Sequence, residues 1–260
     1  ERNTFVRMNG WRMISFFGNN NVFRYNIFKD SPRWPGFQLP KPGTVFALGS
    51  GSWDMYDTLM TSTGAIDQQV NDNVFEYNFI KDIDEQLASV EEVASVGTAL
   101  QNKGLYIRNN VFINVEMSGS FTRPQTILSN NTFYKSARIS NQNFVIGKST
   151  HGNPAGSEIK NNAFVDSGIQ NGTPTDGGWY SVRGEDGKAT AGVFADYNFV
   201  SGSSIHNYPS KLSFKNDNLE TNGINGGDPK FVNPLNPLGS DGIPFTSDDG
   251  LIPSASSPLC

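Results

Sequence analysis

The chain has 260 residues, a formal net charge of −5 and a sequence pI near 5.1. This acidic balance argues against nucleic acid as a partner, because phosphate backbones select basic surfaces. No run of about twenty apolar residues is present, so the sequence predicts no membrane-spanning helix. The single cysteine, Cys260, excludes an internal disulfide.

Asparagine and glycine dominate the composition. The chain contains 29 Asn and 27 Gly, whereas only 17 % of its residues are charged. Such a composition is typical of a β protein whose strands meet at Asn and Gly corners. The length is sufficient for one domain with a substantial core.

A short motif recurs from the first residues onward: two polar corner residues, usually Asn-Asn, then any residue, then Phe. Apolar and polar residues alternate on both sides of the corner, which predicts two short strands that meet at a bend. Asparagine suits such a bend because it tolerates left-handed backbone geometry. The copies are Arg2-Asn3-Thr4-Phe5 (partial), Asn20-Asn21-Val22-Phe23, Asp72-Asn73-Val74-Phe75, Asn109-Asn110-Val111-Phe112, Asn130-Asn131-Thr132-Phe133, Asn161-Asn162-Ala163-Phe164 and Asp196-Tyr197-Asn198-Phe199 (degenerate).

Stacked repeats would place the corner asparagines above one another and the phenylalanines in one internal column. The predicted asparagine ladder consists of Asn3, Asn21, Asn73, Asn110, Asn131 and Asn162. The predicted phenylalanine column consists of Phe5, Phe23, Phe75, Phe112, Phe133, Phe164 and Phe199. The alternative is that the Asn pairs only mark turns between hairpins of a sandwich, but such turns do not require Phe at a fixed offset.

Over residues 2–200 this pattern resembles the pectate-lyase-like superfamily of right-handed parallel β-helices. The resemblance implies an all-β solenoid with loop insertions. We expect the repeat domain to span residues 1–225 and the tail, residues 226–260, to run along or cap it. Few cysteines and many Asn, Thr and Ser residues lead us to expect an extracellular or cell-surface location, and the tail resembles the C-terminal segment common in secreted β-helix-repeat proteins.

The first insertion, Ser31 to Gln69, carries Trp34, Trp53 and Tyr56. Aromatic side chains beside a polar groove stack against sugar rings, so these three are candidate substrate-binding residues. The alternative is that they pack the insertion onto the rest of the domain. Asp54 follows Trp53 and Asp57 follows Tyr56, and both aspartates are candidate catalytic residues.

The next repeat suggests two further features. Arg24 and Glu76 occupy equivalent repeat positions, so we expect them to be neighbours on the outer face. In Ile83 to Ala99 the residues Leu87, Val90, Val93 and Ala94 recur at helical spacing, which predicts a short flanking helix.

A third loop, Ser167 to Thr190, adds Trp179 and Tyr180 as candidate substrate-binding residues, and Arg183 and Glu185 as candidate catalytic residues. If this loop and the first insertion flank one groove, Asp54 would act as an acid or base against Arg183. The alternative is that these are ordinary loop residues.

In the tail, Asp241, Asp248 and Asp249 have the oxygen density of a calcium loop without the spacing of an EF-hand. Calcium is therefore the one cofactor that the sequence suggests. The alternative is that these aspartates form turns.

The resemblance also implies a class of activity, the cleavage of acidic polysaccharides. Pectate-lyase-like enzymes cleave uronate polymers by β-elimination, with acidic residues that hold calcium and an Arg or Lys that removes a proton; related hydrolases use paired aspartates. Neither signature is recognisable in this chain, and fold does not determine function.

Two functions therefore stay open. The first is a secreted protein that binds or degrades polysaccharide, in its sharpest form a calcium-assisted uronate lyase. The second is a structural or adhesive extracellular protein, such as an adhesin or filament component, that self-associates through the uncovered ends of its stacked repeats.

Overall fold

The fold is seen in a computed structural model. It describes residues 1–7, 12–16, 19–31, 44–48, 72–90, 103–121, 125–136, 144–147, 155–167, 169–170, 173–174, 180–183, 192–202 and 220–260. The described residues form twenty strands: β1 (Thr4–Val6), β2 (Arg12–Phe16), β3 (Val22–Arg24), β4 (Ile27–Ser31), β5 (Thr44–Leu48), β6 (Asn73–Glu76), β7 (Phe79–Val90), β8 (Leu105–Arg108), β9 (Val111–Phe121), β10 (Thr126–Ser129), β11 (Thr132–Tyr134), β12 (Phe144–Gly147), β13 (Glu158–Lys160), β14 (Ala163–Val165), β15 (Ile169–Gln170), β16 (Thr173–Pro174), β17 (Tyr180–Arg183), β18 (Phe194–Asp196), β19 (Phe199–Ser201) and β20 (Ile224–Asn225).

Two parallel sheets organise these strands. The six-stranded sheet has the order β18-β13-β10-β8-β6-β3, and the main path of the twelve-stranded sheet is β1-β4-β7-β9-β11-β14-β19-β20. Each strand of the six-stranded sheet is followed, after a two-residue corner, by a strand of the twelve-stranded sheet. This nearly all-β arrangement is compatible with a parallel β-helix.

The remaining parallel strands of the twelve-stranded sheet form a third row. β2 pairs with β5, and β5 pairs with the C-terminal half of β7. This half of β7 pairs with the C-terminal half of β9. The same half of β9 pairs with β12, and β12 pairs with β17. A register shift between Ile83 and Gln86 separates the two halves of β7. We call this set of six parallel segments the third row.

Apolar side chains fill the space between the sheets. Phe112 stacks on Phe133 with ring centroids 4.6 Å apart, and Phe133 stacks on Phe164 at 5.0 Å. The strand register makes one column of Phe5, Phe28, Ile80, Phe112, Phe133, Phe164 and Val200. One column of apolar side chains thus runs through all seven repeats, and in the three repeats from Phe112 to Phe164 its rings stack on one another.

The predicted phenylalanine column was wrong at three positions. Phe23 and Phe75 pair with each other in the six-stranded sheet, and Phe199 pairs with Ala163, one position away from the column. The motif misassigned Phe23 and Phe75 because Asn-x-Phe occurs at two different corners of the early repeats. It misassigned Phe199 because this residue directly follows its ladder asparagine, whereas the column residue is the second after it. Phe28, Ile80 and Val200 take the places that were assigned to these three residues.

The asparagine ladder is present with a different membership. In it, the backbone amide and Nδ2 of each asparagine donate to Oδ1 of the next, at 2.9–3.2 Å. Its members are Asn3, Asn26, Asn78, Asn110, Asn131, Asn162 and Asn198. Asn21 and Asn73 were wrongly placed in this ladder, because they pair with each other at another corner.

The residue before each ladder asparagine has left-handed backbone geometry. Its φ lies between 50° and 61° in all seven repeats, which confirms the predicted bend. Asparagine tolerates this region well, whereas larger side chains adopt it less often. The seven residues are Arg2, Tyr25, Tyr77, Asn109, Asn130, Asn161 and Tyr197.

The flanking helix was wrong for residues 83–90, which belong to β7. Strand pairing outweighs the helical spacing, since Ile83 pairs with Val115 and Val90 with Phe121 along β9. A short apolar run with period three or four does not by itself distinguish a helix from a buried strand. Residues 91–99 lie outside the described part of the chain.

The expected neighbours Arg24 and Glu76 do pair across adjacent strands. Their ion pairs, however, are formed with other residues. Arg24 Nε contacts Glu1 Oε2 at 2.5 Å, and Arg108 Nε contacts Glu76 Oε2 at 2.7 Å. Residues 24, 76 and 108 are consecutive in the register, so charge alternates along this part of the outer face.

The tail packs on the outer surface of the twelve-stranded sheet. Leu251 is 7 % exposed and belongs to a cluster with six residues of the sheet. These are Phe79, Ile113, Tyr134, Ala163, Val165 and Phe199. Phe245 lies edge-on to Tyr25 and Tyr77, and Phe231 lies edge-on to Tyr134.

Candidate functional site

The candidate residues of the two long loops adjoin the third row in sequence. Tyr180 and Arg183 are the first and last residues of β17, with Trp179 just before it and Glu185 two residues after it. Trp53, Asp54, Tyr56 and Asp57 follow β5, which ends at Leu48. Trp34 lies between β4 and β5.

Most of these candidates lie outside the described residues. The structure therefore does not describe contacts of Trp34, Trp53, Asp54, Tyr56, Asp57, Trp179 and Glu185. For Tyr180 and Arg183 it gives the strand and the register.

The third row sets the separation between the two loops. β5 and β17 are four strand steps apart, through β7, β9 and β12. At about 4.8 Å per step, their ends are separated by roughly 19 Å along the row. A direct contact between Asp54 and Arg183 would have to bridge this distance, whereas a long ligand would span it.

One column of the third row consists mostly of small residues. Its register positions are Ser15, Ala47, Ser89, Ser120, Val145 and Ser181. The column before it consists of Ile14, Phe46, Ala88, Gly119, Phe144 and Tyr180. The two columns are adjacent positions of the backbone register.

The two described candidates occupy different register positions of β17. Arg183 is two residues beyond Ser181 and pairs with Gly147. Tyr180 directly precedes Ser181 and pairs with Phe144. Both candidates thus lie within two residues of the serine column in sequence. Sequence reasoning missed the serines, although their alternation with apolar residues in β2 and β17 was readable.

The aspartates of the tail form a compact turn. Asp248 Oδ2 accepts hydrogen bonds from Ser240 N at 2.6 Å and Ser240 Oγ at 2.7 Å, and its Oδ1 accepts one from Thr246 Oγ1 at 2.7 Å. Asp241 Oδ1 accepts a bond from Ile243 N at 2.8 Å. These bonds account for both carboxylates as turn-forming groups.

Asp249 differs from the other two. Its Oδ2 accepts a hydrogen bond from Phe245 N at 2.6 Å, but its Oδ1 is buried without a hydrogen-bond partner. Burial, together with the charges of Asp241 and Asp248, raises the pKa of Asp249. The hydroxyls of Ser240 and Thr246 instead hold the pKa of Asp248 well below its usual range.

A metal centre is not assembled among the residues that the structure describes. No three His, Cys, Asp or Glu side chains in the described ranges are grouped so that they could hold a metal ion. Calcium at Asp241, Asp248 and Asp249 therefore stays a prediction.

No helix within the described ranges has the length and hydropathy needed to cross a bilayer. No protein-family model, no curated protein and no solved structure matches the chain.

Proposed function

We propose that the protein is an extracellular polysaccharide-binding protein with a right-handed parallel β-helix fold of the pectate-lyase-like type, and that the third row carries its binding surface. The observation that carries this proposal is that both candidate loops adjoin the same row of parallel strands. A polymer laid along the row would reach from one aromatic loop to the other.

The chemistry of the row supports this assignment. Four of the six register positions in one column of the row are serines, and a serine hydroxyl can both donate and accept a hydrogen bond. Arg183, two residues beyond Ser181 in β17, adds a guanidinium group with five N–H donors. The aromatic residues Trp34, Trp53, Tyr56 and Trp179 would supply stacking surfaces for sugar rings from the adjoining loops.

Cleavage of the bound polymer is a further step. Calcium-assisted elimination would require a group of carboxylates around the ion and a base close to the sugar. Asp54, Asp57 and Glu185 are the candidate acids of the two loops that adjoin the row in sequence, and Arg183 is the candidate base. We therefore propose binding as the primary function and lyase activity as its enzymatic extension.

The test is a binding measurement on a panel of neutral, uronate-containing and sulfated polysaccharides, with calcium and then with chelator. Absorbance of unsaturated products is followed in the same samples, so that binding and elimination are read separately. Binding to at least one polymer, weakened about tenfold by Arg183→Ala, is the expected result. Such a factor corresponds to about 1.4 kcal/mol.

Lys160→Ala is the matched control. Lys160 is also a cation of a β-strand, but it lies in the six-stranded sheet and pairs with Glu158 at 2.5 Å. If Lys160→Ala weakens binding as much as Arg183→Ala, the ligand does not lie on the third row. If no polymer binds and the protein forms large assemblies, the structural or adhesive function is favoured.

A further inference from the structure

The tail is internally bonded beyond Gly227. In the described structure, the hydrogen bonds of residues 228–260 all join two residues of that segment. Val232 N donates to Ile252 O at 3.0 Å, Ser254 N donates to Lys230 O at 2.9 Å, and Ser257 Oγ donates to Pro229 O at 2.6 Å. The segment therefore keeps its hydrogen bonds when it is considered apart from the sheets.

The contact between the tail and the twelve-stranded sheet is apolar. Phe231, Leu238, Phe245, Leu251 and Leu259 supply the tail's side of it. The ring of Phe245 lies 5.9 Å from that of Tyr77, and the ring of Phe231 lies 6.2 Å from that of Tyr134. Apolar burial is not directional, so this contact depends on complementary shape and not on which chain supplies the tail.

The joint between the sheet and the tail is a pair of glycines. Gly226 N donates a hydrogen bond to Val200 O at 2.8 Å. Gly226 is the last described residue that is hydrogen-bonded to the twelve-stranded sheet. Gly226 has a φ of 117° and Gly227 a φ of 95°, a region that glycine adopts readily and other residues rarely do. A side chain at Gly227 would meet no atom within 4 Å, so the backbone angle alone explains the need for glycine there.

We propose that the outer face of the twelve-stranded sheet is a docking surface for the tail of a second copy of this chain, and that two chains dimerise by exchanging residues 228–260. The observations that carry this proposal are the internally bonded tail, its purely apolar contact and the two-glycine joint. Without a tail, the face would expose Phe79, Ile113, Tyr134 and Val165 as one apolar surface. Because exposure of such a surface to water is unfavourable, the face is expected to be covered by a tail in both the monomer and the dimer. The tail of another copy has the required shape because it is identical.

The choice between the two arrangements depends on the joint. A tail that folds back on its own sheet has a high effective concentration, so this arrangement predominates over exchange at low protein concentration. A joint that cannot adopt positive φ disfavours this fold-back, and exchange between two chains becomes the better arrangement. The wild-type chain is therefore expected to be monomeric when dilute and to form exchanged dimers when refolded at high concentration.

The experiment compares Gly227→Val with Gly242→Val. Gly242 is the matched control, because its φ is 69° and a side chain there also meets no atom within 4 Å, but it lies inside the tail. Light scattering after size-exclusion chromatography gives the mass. We expect Gly227→Val to raise the population at twice 28.5 kDa by roughly tenfold over wild type, while Gly242→Val leaves it unchanged.

Energy transfer distinguishes exchange from other dimers. One chain is labelled at the exposed Cys260, and the other, carrying Val22→Cys and Cys260→Ser, is labelled on the six-stranded sheet, where Val22 is 48 % exposed. The pair is unfolded and refolded together at high concentration, with separately refolded chains as the reference. Transfer between the two labels in the dimer fraction is the expected result.

Three results would overturn the proposal. The first is a wild-type chain that stays monomeric after refolding at high concentration. The second is a Gly242→Val variant that dimerises as much as Gly227→Val. The third is a dimer without energy transfer between the chains. The wild-type result decides the question even if Gly227→Val fails to fold.

Discussion

Asn110 donates two hydrogen bonds to the same atom of Asn131: the backbone amide and Nδ2 both lie 3.0 Å from Oδ1. Nδ2 of Asn110 also donates to Phe75 O at 2.9 Å and to Arg108 O at 3.0 Å. Oδ1 of Asn110 in turn accepts from Asn78. One buried side chain thus joins three neighbouring repeats.

Replacement of Asn110 by alanine should lower the free energy of unfolding by about 3 kcal/mol, because several buried groups lose their partners at once. Denaturant unfolding measures this change. Asn130→Ala is the comparison, since Asn130 is exposed at the next corner with a φ of 55°. It should cost about 1 kcal/mol, from the left-handed backbone alone. Equal losses for the two variants would contradict the role of the ladder.

The ladder has a direction, and a carboxylate ends it. Asn198 Nδ2 donates to Glu220 Oε1 at 2.8 Å, and Asn198 N donates to Glu220 Oε2 at 3.2 Å. Because each asparagine donates toward the C-terminal repeats, the last one needs an acceptor that donates nothing itself, which a carboxylate provides.

The adjacent Asp196 should make stability depend on acid pH. Burial raises the pKa of Asp196, but hydrogen bonds from Asn222, Tyr197 and Thr221 outweigh it, so the pKa is lowered. A lowered folded-state pKa contributes stability above the unfolded value near 3.8 and loses it as pH falls through the folded value. Wild type should therefore be more stable than Asp196→Asn at pH 7, and the difference should vanish in strong acid. A difference that stays constant from pH 7 to pH 2 would contradict this assignment.

Ser201 offers a stabilising substitution. Its hydroxyl is buried without a hydrogen-bond partner, and the residue is 1 % exposed. Ser201→Ala should raise the free energy of unfolding by about 1 kcal/mol, because the cost of desolvating that hydroxyl disappears.

Ser136→Ala is the matched control for Ser201→Ala. Ser136 is also fully buried, but its Oγ accepts from Val115 N at 3.3 Å and donates to backbone oxygen. This variant should lose about 1 kcal/mol of stability. If both alanine variants change stability in the same direction, the unpaired state of Ser201 is not the cause.

Two leucines of the tail test its packing. Leu251 is 7 % exposed in the cluster with the twelve-stranded sheet, whereas Leu235 is 88 % exposed. Leu251→Ala should cost about 2–4 kcal/mol through lost burial and a cavity. Leu235→Ala should stay within about 0.5 kcal/mol of wild type. Similar thermal unfolding of both variants would show that the tail does not stabilise the sheet.

Much of the fold could be predicted because the corner motif repeats in seven places with a fixed offset to an apolar residue. The asparagine ladder and the left-handed corner follow from that motif. The membership of the ladder could not be predicted from it, because in two repeats an Asn-x-Phe also occurs at the corner before the six-stranded sheet. In these two repeats the ladder corner is marked by a Tyr-Asn pair, at Tyr25 and Tyr77. Each pair begins five residues after the first residue of the other corner, Asn20 or Asp72.

The strand β7 was missed for another reason. Its apolar residues are spaced irregularly at the register shift between Ile83 and Gln86, and this irregularity imitates a helical period. Pairing with β5 and β9 on both sides decides the structure, and such long-range pairing leaves no local signal. The candidate site shares this limit, since the third row becomes visible only when distant segments are placed side by side.

The most direct test of the proposed function is the affinity for oligosaccharides of increasing length, cut from a polymer that binds. A ligand that lies along the third row should bind more tightly with each added sugar, until it spans the six strands, roughly 24 Å. Arg183→Ala should weaken the long oligosaccharides about tenfold, or about 1.4 kcal/mol. If a disaccharide binds as tightly as the longest oligosaccharide and Arg183→Ala has no effect, the third row is not the binding surface.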